Sequence, residues 1–354
     1  MSTHYETIVI GAGQAGLAAG YYLAKARQRF ILLDGAATVG ESWRRRWDSL
    51  RLFTPARYNA LPGMPFPGDS AALAAKDDVA AYLESYAARF ALPIAFSSPV
   101  ASVEHDGAQF VVRTLDRTLT APSLIIATGV YHRPYVPAFA GDLSPSIVGR
   151  HSSHYTNPGA LPPGDVLVVG AGNSGAQIAL ELARTRRVFL SGRTTGAIPR
   201  RLLGRDVYDW LWPTLMRPTI DSRLGRRLMQ GRLFAGDPLI GISARDLAQP
   251  SLTRVGRTVG VRDGQPLLDD GRTMTVNSVI WCTGFRPDFS WIRLPVFGAD
   301  GYPVHRRGLV AGAPMLAFVG LRYQYRVGSS LLGGVGEDAE FVVRALTEAT
   351  RRAA

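Results

Sequence analysis

The feature that most constrains this chain is a strand–glycine loop–helix–strand pattern that occurs twice. The first copy carries a GxGxxG loop at 11–16 and ends its second strand at Asp34. The second copy carries the same loop at 170–175 and ends its second strand at Arg193. A GxGxxG loop between a strand and a helix is typical of dinucleotide-binding units. The repetition therefore predicts an α/β chain with two Rossmann-like dinucleotide-binding domains.

Each glycine in such a loop has its own role. The first permits the tight turn, the second lets the backbone approach a pyrophosphate, and the third lets the helix pack on the strand. The N-terminus of the helix offers free N–H groups and the positive end of its dipole. The cofactor contacts predicted for the first unit are Gly11, Gly13, Gln14, Ala15 and Gly16. Those predicted for the second unit are Gly170, Gly172, Asn173, Ser174 and Gly175.

The residue at the end of the second strand indicates which nucleotide each unit takes. Asp34 lies 23 positions after Gly11, and Arg193 lies the same distance after Gly170. An acid at this place accepts hydrogen bonds from ribose hydroxyls, whereas a base suits a 2′-phosphate. The first unit is therefore interpreted as a site for FAD or NAD, and the second, with Arg193 and Thr194, as an NADPH site. The alternative for Arg193 is a solvated surface arginine.

Composition narrows the classes of function. The formal charge of +12 comes from 40 basic residues, of which only Lys25 and Lys76 are lysines. The arginines are spread along the chain without a run of five, so no nucleic-acid partner is expected. The single cysteine, Cys282, excludes an internal disulfide, a dithiol pair and a cysteine-rich zinc site, and no metal site is predicted.

Targeting signals are not expected either. Apolar strand residues begin at Ile8, which leaves no room for a signal peptide before the first glycine loop. The most apolar stretch, 166–183, contains Asn173, Gln177 and Glu181 and suits a βα unit better than a membrane span. The chain is predicted to be cytoplasmic, with no membrane span.

The remaining segments set the expected domain boundaries. A helix is predicted at 77–90, capped by Asp77 or Asp78, and another at 339–350, both from apolar periodicity. Pro- and Gly-rich stretches at 44–68 and 133–163 are interpreted as a loop along a ligand and an interdomain linker. The stretch 206–232 is expected to be a core-packing helical insertion, with a role on a membrane surface or in lining a pocket as the alternatives. The expected domains are 1–158 with 279–354, and 159–278 inserted between them.

With these motifs in place, the sequence resembles the class B flavoprotein monooxygenases over essentially its whole length. The resemblance rests on both glycine loops, Ala127-Thr128-Gly129, the segment 281–287 and the tail 333–339. It implies FAD in the first unit and NADPH in the inserted one. It also implies FAD contacts by residues outside the first loop, namely Gly40, Trp43, Thr128, Gly129 and Gly334.

Two departures from the family pattern concern the candidate catalytic residues. The family's FxGxxxH fingerprint has Pro145 and Ile147 in place of its Phe and Gly here, although His151 is present. His151 is assigned either a structural role at the linker or a proton role. Pro55 stands where the family carries an asparagine that helps hold the oxygenated flavin. Asn59 is a nearby substitute, with a turn role as its alternative.

The resemblance implies a reaction. NADPH reduces FAD, O₂ gives a C4a-hydroperoxyflavin, and a small soft nucleophile (a sulfide or amine) or a ketone is oxygenated. The alternatives are an NADPH-dependent flavin reductase or oxidase, which Pro55 favours, and a non-enzymatic nucleotide sensor. The expected partners are O₂ and a small-molecule substrate, and 210–216 is a candidate homodimer interface.

Overall fold

The computed structural model describes residues 3–193, 195–229 and 237–353. The strands are β1 Thr3–His4, β2 Thr7–Ile10, β3 Phe30–Leu33, β4 Arg51–Pro55, β5 Leu73–Ala75, β6 Ile94–Ala95, β7 Val100–His105, β8 Phe110–Thr114, β9 Thr118–Ala121, β10 Ser123–Ile126, β11 Arg133–Pro134, β12 Val148–His151, β13 Val166–Val169, β14 Val188–Ser191, β15 Ala197–Ile198, β16 Arg201–Leu202, β17 Arg205–Asp206, β18 Leu239–Ile240, β19 Leu252–Val255, β20 Thr258–Arg262, β21 Gln265–Leu268, β22 Ser278–Trp281, β23 Phe285–Arg286 and β24 Leu316–Phe318.

The α-helices are α1 Gln14–Lys25, α2 Glu41–Arg44, α3 Lys76–Arg89, α4 Asn173–Leu182, α5 Val207–Leu211, α6 Arg223–Met229 and α7 Val335–Ala353. Short 3₁₀ turns lie at Ala56–Tyr58, Ala138–Asp142, Pro158–Ala160 and Val327–Ser330, and a π turn at Trp212–Met216 follows α5.

The first sheet is parallel and has the order β24-β10-β2-β3-β6. Its central strands are buried along their whole length, because helices cover one face and a second sheet covers the other. One face packs on α1, α3 and α7, through residues such as Val9, Leu17 and Val342. The opposite face packs on the four-stranded sheet β1-β9-β8-β7. Burial on both faces explains why these strands are continuously apolar.

The second sheet has the order β12-β22-β13-β14-β19, and all its pairs are parallel. Helix α4 packs against β13 and β14 in a core that contains Val168, Ile178 and Leu190. The two sheets confirm the predicted fold class, a mixed α/β chain with two Rossmann-like units.

Two strands of the second sheet lie outside or across the expected boundaries at 158/159 and 278/279, which stay a prediction. Strand β12 lies inside the stretch 133–163 that was predicted to be a linker, and β22 spans the second boundary. Both pair within the second sheet, with Val148 opposite Ser278 and Val166 opposite the same residue. The prolines around β12 obscured it, although an edge strand tolerates such neighbours.

The two connections between the sheets run side by side. Strands β11 and β23 form an antiparallel pair in which Pro134 lies opposite Phe285. The N–H of Tyr135 donates to the carbonyl of Gly284 at 2.9 Å. The first unit is thus joined to the second by a two-stranded ribbon rather than by two independent loops.

Two further predictions need adjustment. The helix expected at 77–90 is α3, and Asp78 accepts the N–H of Ala75 at 2.8 Å from inside the first turn rather than acting as the N-cap residue. The stretch 44–68 is not all loop, because β4 pairs with β5. In the described ranges no helix is both long and apolar enough to cross a membrane.

Candidate functional site

The first glycine loop lies at the carboxyl end of β2 and has the backbone that its sequence predicts. Gly11 adopts φ +102°, and a Cβ there would lie 2.7 Å from the carbonyl oxygen of Ala127. A Cβ on Gly16 would overlap the carbonyl oxygen of Gly11, so only glycine lets α1 approach the strand. A Cβ on Gly13 would meet nothing within 4 Å. The turn and packing roles are confirmed, and phosphate binding on the open side at Gly13 stays a prediction.

The start of α1 is anchored to a distant part of the chain. Gln14 Nε2 donates to the carbonyl of Ser330 at 2.9 Å, and Ala15 is buried against Gly320. Among the described residues, no side chain caps the N-terminus of α1. Its first-turn N–H groups and dipole therefore remain directed at the open side of the loop.

Asp34 follows β3 and is positioned beside the glycine loop. Its Oδ2 accepts the N–H of Ala12 at 2.6 Å, and its Oδ1 accepts the N–H of Ala36 at 2.8 Å. The half-buried carboxylate thus links the loop to the end of the strand. A carboxylate has about four acceptor positions, so it can also accept from a ribose hydroxyl.

The other predicted FAD contacts come from three separate segments. Gly40 adopts φ +79° and lies against Ala80 of α3, and the nearby Trp43 packs between the cores of both units. Thr128 and Gly129 follow β10, next to β2 in the sheet. Gly334 immediately precedes α7.

The residues before α7 lie directly against the 3₁₀ turn at Ala56–Tyr58. A Cβ on Gly333 would overlap the carbonyl oxygen of Tyr58, and one on Gly334 would overlap that of Gly328. These close backbone approaches require glycine at both positions. They bring the residues before α7 next to Asn59, in the turn that follows Pro55.

The second glycine loop repeats the first. Gly170 adopts φ +106°, and a Cβ there would overlap the carbonyl oxygen of Cys282. A Cβ on Gly175 would overlap the carbonyl oxygen of Gly170, whereas one on Gly172 would meet nothing within 4 Å. In the part of the chain that the structure describes, no side chain caps α4. The loop thus offers the same open, uncapped helix N-terminus as the first.

Of the predicted NADPH contacts beside these glycines, one is bonded within the protein and two are exposed. Asn173 Nδ2 donates to the carbonyl of Pro238 at 2.9 Å, and its Oδ1 accepts the N–H of Ile240 at 3.1 Å. Ser174 and Arg193 are exposed. Thr194 lies outside the described residues.

The two candidate catalytic side chains are held by the protein itself. Asn59 is 1% exposed, and its Oδ1 accepts from the hydroxyl of Thr54 at 2.6 Å while its Nδ2 donates to the Thr54 carbonyl at 3.1 Å. The amide thus closes the turn from Thr54 to Asn59. This is the turn role that the sequence offered as an alternative.

His151 uses both ring nitrogens at the junction of the two units. Its Nε2 contacts the carbonyl oxygen of Gly284 at 2.9 Å, and the N–H of Ser153 donates to its Nδ1 at 3.1 Å. The ring packs edge-on against Phe285. Burial lowers the pKa of His151, which favours the neutral ring with the proton on Nε2. These contacts tie β12 to the connection after β22, and a proton role would require one of them to break.

Two polar groups beside the site were not found from the sequence. His132 Nε2 lies 3.2 Å from Thr128 Oγ1, and its Nδ1 accepts the N–H of Asp288.

The second group is Asp209 of the inserted helix α5. Its carboxylate accepts from the Tyr58 hydroxyl at 2.7 Å and pairs with Arg57 at 2.6 Å. These hydrogen bonds lower the pKa of Asp209. The aromatic-rich composition of 206–232 was the signal available, but the partner segment was not predictable.

The inserted segment closes over the turn at Ala56–Tyr58. The ring of Trp212 stacks on Tyr58 at 5.0 Å between centroids, and Tyr208 stacks on Phe53 at 6.3 Å. Arg200 Nη1 donates to the carbonyl of Phe53 at 2.6 Å. The second unit thereby covers the first beside the glycines that precede α7.

Comparisons with known proteins agree with this architecture. A family model described as pyridine nucleotide-disulphide oxidoreductase matches residues 8–224. An uncharacterized CzcO-like oxidoreductase from Geobacillus kaustophilus is 41% identical over 342 residues, which covers 96% of this chain and 97% of that protein.

Monooxygenases are also among the similar proteins. A solved flavin-containing monooxygenase from Stenotrophomonas maltophilia superposes with a TM-score of 0.81 at 27% identity, covering 98% of this chain and 99% of the other. Indole-3-pyruvate monooxygenase YUCCA4 from Oryza sativa subsp. japonica is 28% identical over 392 residues, covering 96% of this chain and 87% of that protein.

Proposed function

The chain belongs to the pyridine nucleotide-disulphide oxidoreductase family, as a class B flavoprotein monooxygenase, and we propose that it holds FAD in its first unit and NADPH in its second. With O₂ it oxygenates a small soft nucleophile, a sulfide or an amine, or a ketone. The proposal rests on the pair of matching glycine loops and on the opposite charges of Asp34 and Arg193, which follow the second strand of each unit.

The residues present fit two dinucleotides. At Gly13 and Gly172 the space beside the backbone is open, and the helices that follow are uncapped. A pyrophosphate needs this close approach to backbone N–H groups. Asp34 supplies an acceptor for ribose hydroxyls, and the exposed Arg193 supplies a cation for a 2′-phosphate.

The chain's own residues position and shield the reacting groups. When bound, the flavin would supply hydride acceptance and the activation of O₂. Thr128, Gly129 and Gly334 bracket its site, and the dipole of the long helix α7 stabilises negative charge at Gly334. The inserted aromatic residues Tyr208 and Trp212 exclude water from the turn at Ala56–Tyr58.

One observation favours a second function, an NADPH-dependent flavin reductase or oxidase. The position of the family's asparagine is Pro55, and the amide of Asn59 is already bonded on both its oxygen and its nitrogen to Thr54. Pro55 has no N–H to donate. This turn would then offer no free amide group to a bound flavin.

Stopped-flow absorbance separates the two functions. The purified holoprotein is reduced with NADPH and mixed with oxygenated buffer, with and without a thioether probe such as thioanisole. A transient band distinct from oxidised flavin, with formation of sulfoxide, is expected for the monooxygenase. Direct reoxidation with stoichiometric hydrogen peroxide and no sulfoxide would instead establish the oxidase. A protein purified without flavin would contradict both.

A further inference from the structure

A second arginine, Arg254, lies close to Arg193, the residue predicted to bind the 2′-phosphate in the second unit. We call this part of the molecule the corner at Arg193. It belongs to β19, the edge strand next to β14, and is paired in register with Leu190. Its Nη2 donates to the carbonyl of Gly192 at 3.0 Å. Gly192 is the residue immediately before Arg193, so Arg254 reaches the turn that presents Arg193.

This turn is closely fixed to the glycine loop. Gly192 adopts φ +142°, a conformation that favours glycine, and a Cβ there would lie 2.9 Å from the N of Ala171. Ser191 Oγ donates to the carbonyl of Gly256 at 2.8 Å and accepts the N–H of Thr258 at 2.9 Å. The backbone from which Arg193 projects is therefore held by β19 and β20 as well as by β14.

The charges at this corner are not neutralised by the protein. In the described part of the chain, neither Arg193 nor Arg254 has an ion pair with a carboxylate. Arg254 is half-buried, whereas Arg193 is exposed. One hydrogen bond to Gly192 leaves most of the five guanidinium donors of Arg254 available, and a guanidinium fork matches a phosphate.

We infer that Arg254 is a second phosphate-binding residue of the nucleotide site, which holds Gly192 with one nitrogen and binds the 2′-phosphate of NADPH with the others. This inference rests on the proposed function, because it takes the second unit to be the NADPH site. It extends the specificity determinant from the end of β14 to the neighbouring strand β19. Two cations then select a 2′-phosphate over a ribose hydroxyl.

The test measures nucleotide binding rather than turnover. Isothermal titration of the flavin-loaded protein with 2′,5′-ADP and with 5′-AMP gives a discrimination ratio for the 2′-phosphate. Arg254→Gln, which keeps an amide donor but loses the charge, is expected to weaken 2′,5′-ADP about tenfold and to leave 5′-AMP unchanged. Arg254→Lys, which keeps the charge but loses the fork, is expected to lose about threefold.

Arg262→Gln is the matched control. Arg262 also lies on an edge strand of this unit and also donates to a backbone carbonyl, that of Gly271 at 3.3 Å. We expect Arg262→Gln to leave the discrimination ratio unchanged. The comparison with Arg254→Gln thus separates the loss of a specific phosphate contact from the general loss of one positive charge.

Three outcomes would overturn the inference. An unchanged ratio in Arg254→Gln excludes phosphate binding, and an equal loss for both nucleotides means that Arg254 only shapes the turn. If Arg254→Gln fails to fold, an unchanged ratio in Arg254→Lys excludes the bidentate contact. The proposed function fails separately, when the wild-type protein itself does not distinguish 2′,5′-ADP from 5′-AMP.

Discussion

The two dinucleotide units have nearly the same phosphate loop and different surroundings. The glycine before α1 has φ −75° and ψ −172°, and the one before α4 has φ −77° and ψ −172°. The first loop is anchored to the C-terminal segment through Gln14 and Ser330, whereas the second is anchored to Pro238 and Ile240. Loop geometry is thus local, and the identity of the nucleotide depends on what lies around the loop.

The largest expected effect comes from the third glycine of each loop. Gly16→Ala and Gly175→Ala both place a Cβ on a backbone carbonyl oxygen, a clash that the strand–helix packing cannot absorb. We expect Gly16→Ala to lower the flavin-to-protein absorbance ratio at least about tenfold. Gly175→Ala is expected to keep its flavin and to be reduced by dithionite but not by NADPH.

Gly204→Ala is the control for these variants, because a Cβ there would meet nothing within 4 Å, although its φ of +77° makes any side chain mildly strained. It should retain both flavin and reduction by NADPH. Equal flavin loss in Gly16→Ala and Gly175→Ala would mean that the two units do not bind different cofactors.

Removal of the charge on Arg193 or on Asp34 is expected to have the next largest effect. Arg193→Met is expected to raise the KM for NADPH about tenfold while leaving the KM for NADH unchanged, because one charge-assisted phosphate contact is lost. Asp34→Asn should instead weaken flavin retention, measured as flavin passing an ultrafiltration membrane on dilution. A change in nicotinamide preference in Asp34→Asn would contradict the assignment of the two units.

Acid should destabilise the first unit through His305. Burial lowers the pKa of His305 from 6.5 to about 4, and its Nδ1 accepts the N–H of Gly308 at 3.1 Å. Between these two pH values the unfolded chain binds the proton and the folded chain does not, so stability falls as pH drops. His305→Asn keeps an acceptor without titrating. In this variant the fall in Tm on lowering the pH should be smaller by a few degrees, which corresponds to roughly 1 kcal/mol in the free energy of unfolding.

The matched variant for this measurement is His154→Asn, since His154 is exposed. Thermal melts of the holoprotein between pH 4 and pH 6.5, followed by flavin fluorescence, report on the first unit. If His154→Asn and His305→Asn changed the melts equally, burial of His305 would not be the cause.

The smallest effect concerns the residue beneath each loop, Ala127 in the first unit and Cys282 in the second. Burial raises the pKa of Cys282 to about 12, so its thiol should resist a disulfide reagent such as DTNB until the protein unfolds. Cys282→Ala introduces the residue that the first unit has at this place, Ala127. We expect the Tm of this variant to fall by only a few degrees, which corresponds to a loss of about 1 kcal/mol in the free energy of unfolding. Rapid labelling of the native thiol, or loss of NADPH reduction in Cys282→Ala, would contradict a packing role.

Features whose determinants are local could be predicted from the sequence. The roles of Gly11 and Gly16 follow from backbone sterics within one strand–loop–helix segment, so their conformations could be predicted. Helix α3 was predicted to within a residue at each end because its apolar periodicity is regular.

Features that depend on partners distant along the chain could not be predicted in this way. Strand β12 is a short edge strand among prolines, and only its pairing with β22 defines it. The contacts of Asp209 with Arg57 and Tyr58, and of Arg254 with Gly192, join residues that no spacing rule relates. Likewise Asn59, a candidate for chemistry by its residue type, turned out to be bonded to Thr54.

The sequence by itself therefore determined the two dinucleotide units, the backbone of their loops and the opposite charges that follow their second strands. Each of these depends on residues within about one βαβ unit, where local sterics and hydrophobic periodicity act. Only the tertiary structure decided which strands complete the second sheet, how the insertion covers the turn at Ala56–Tyr58, and which groups share the corner at Arg193. These features arise from long-range packing, because side chains far apart in the chain meet only once both cores have formed.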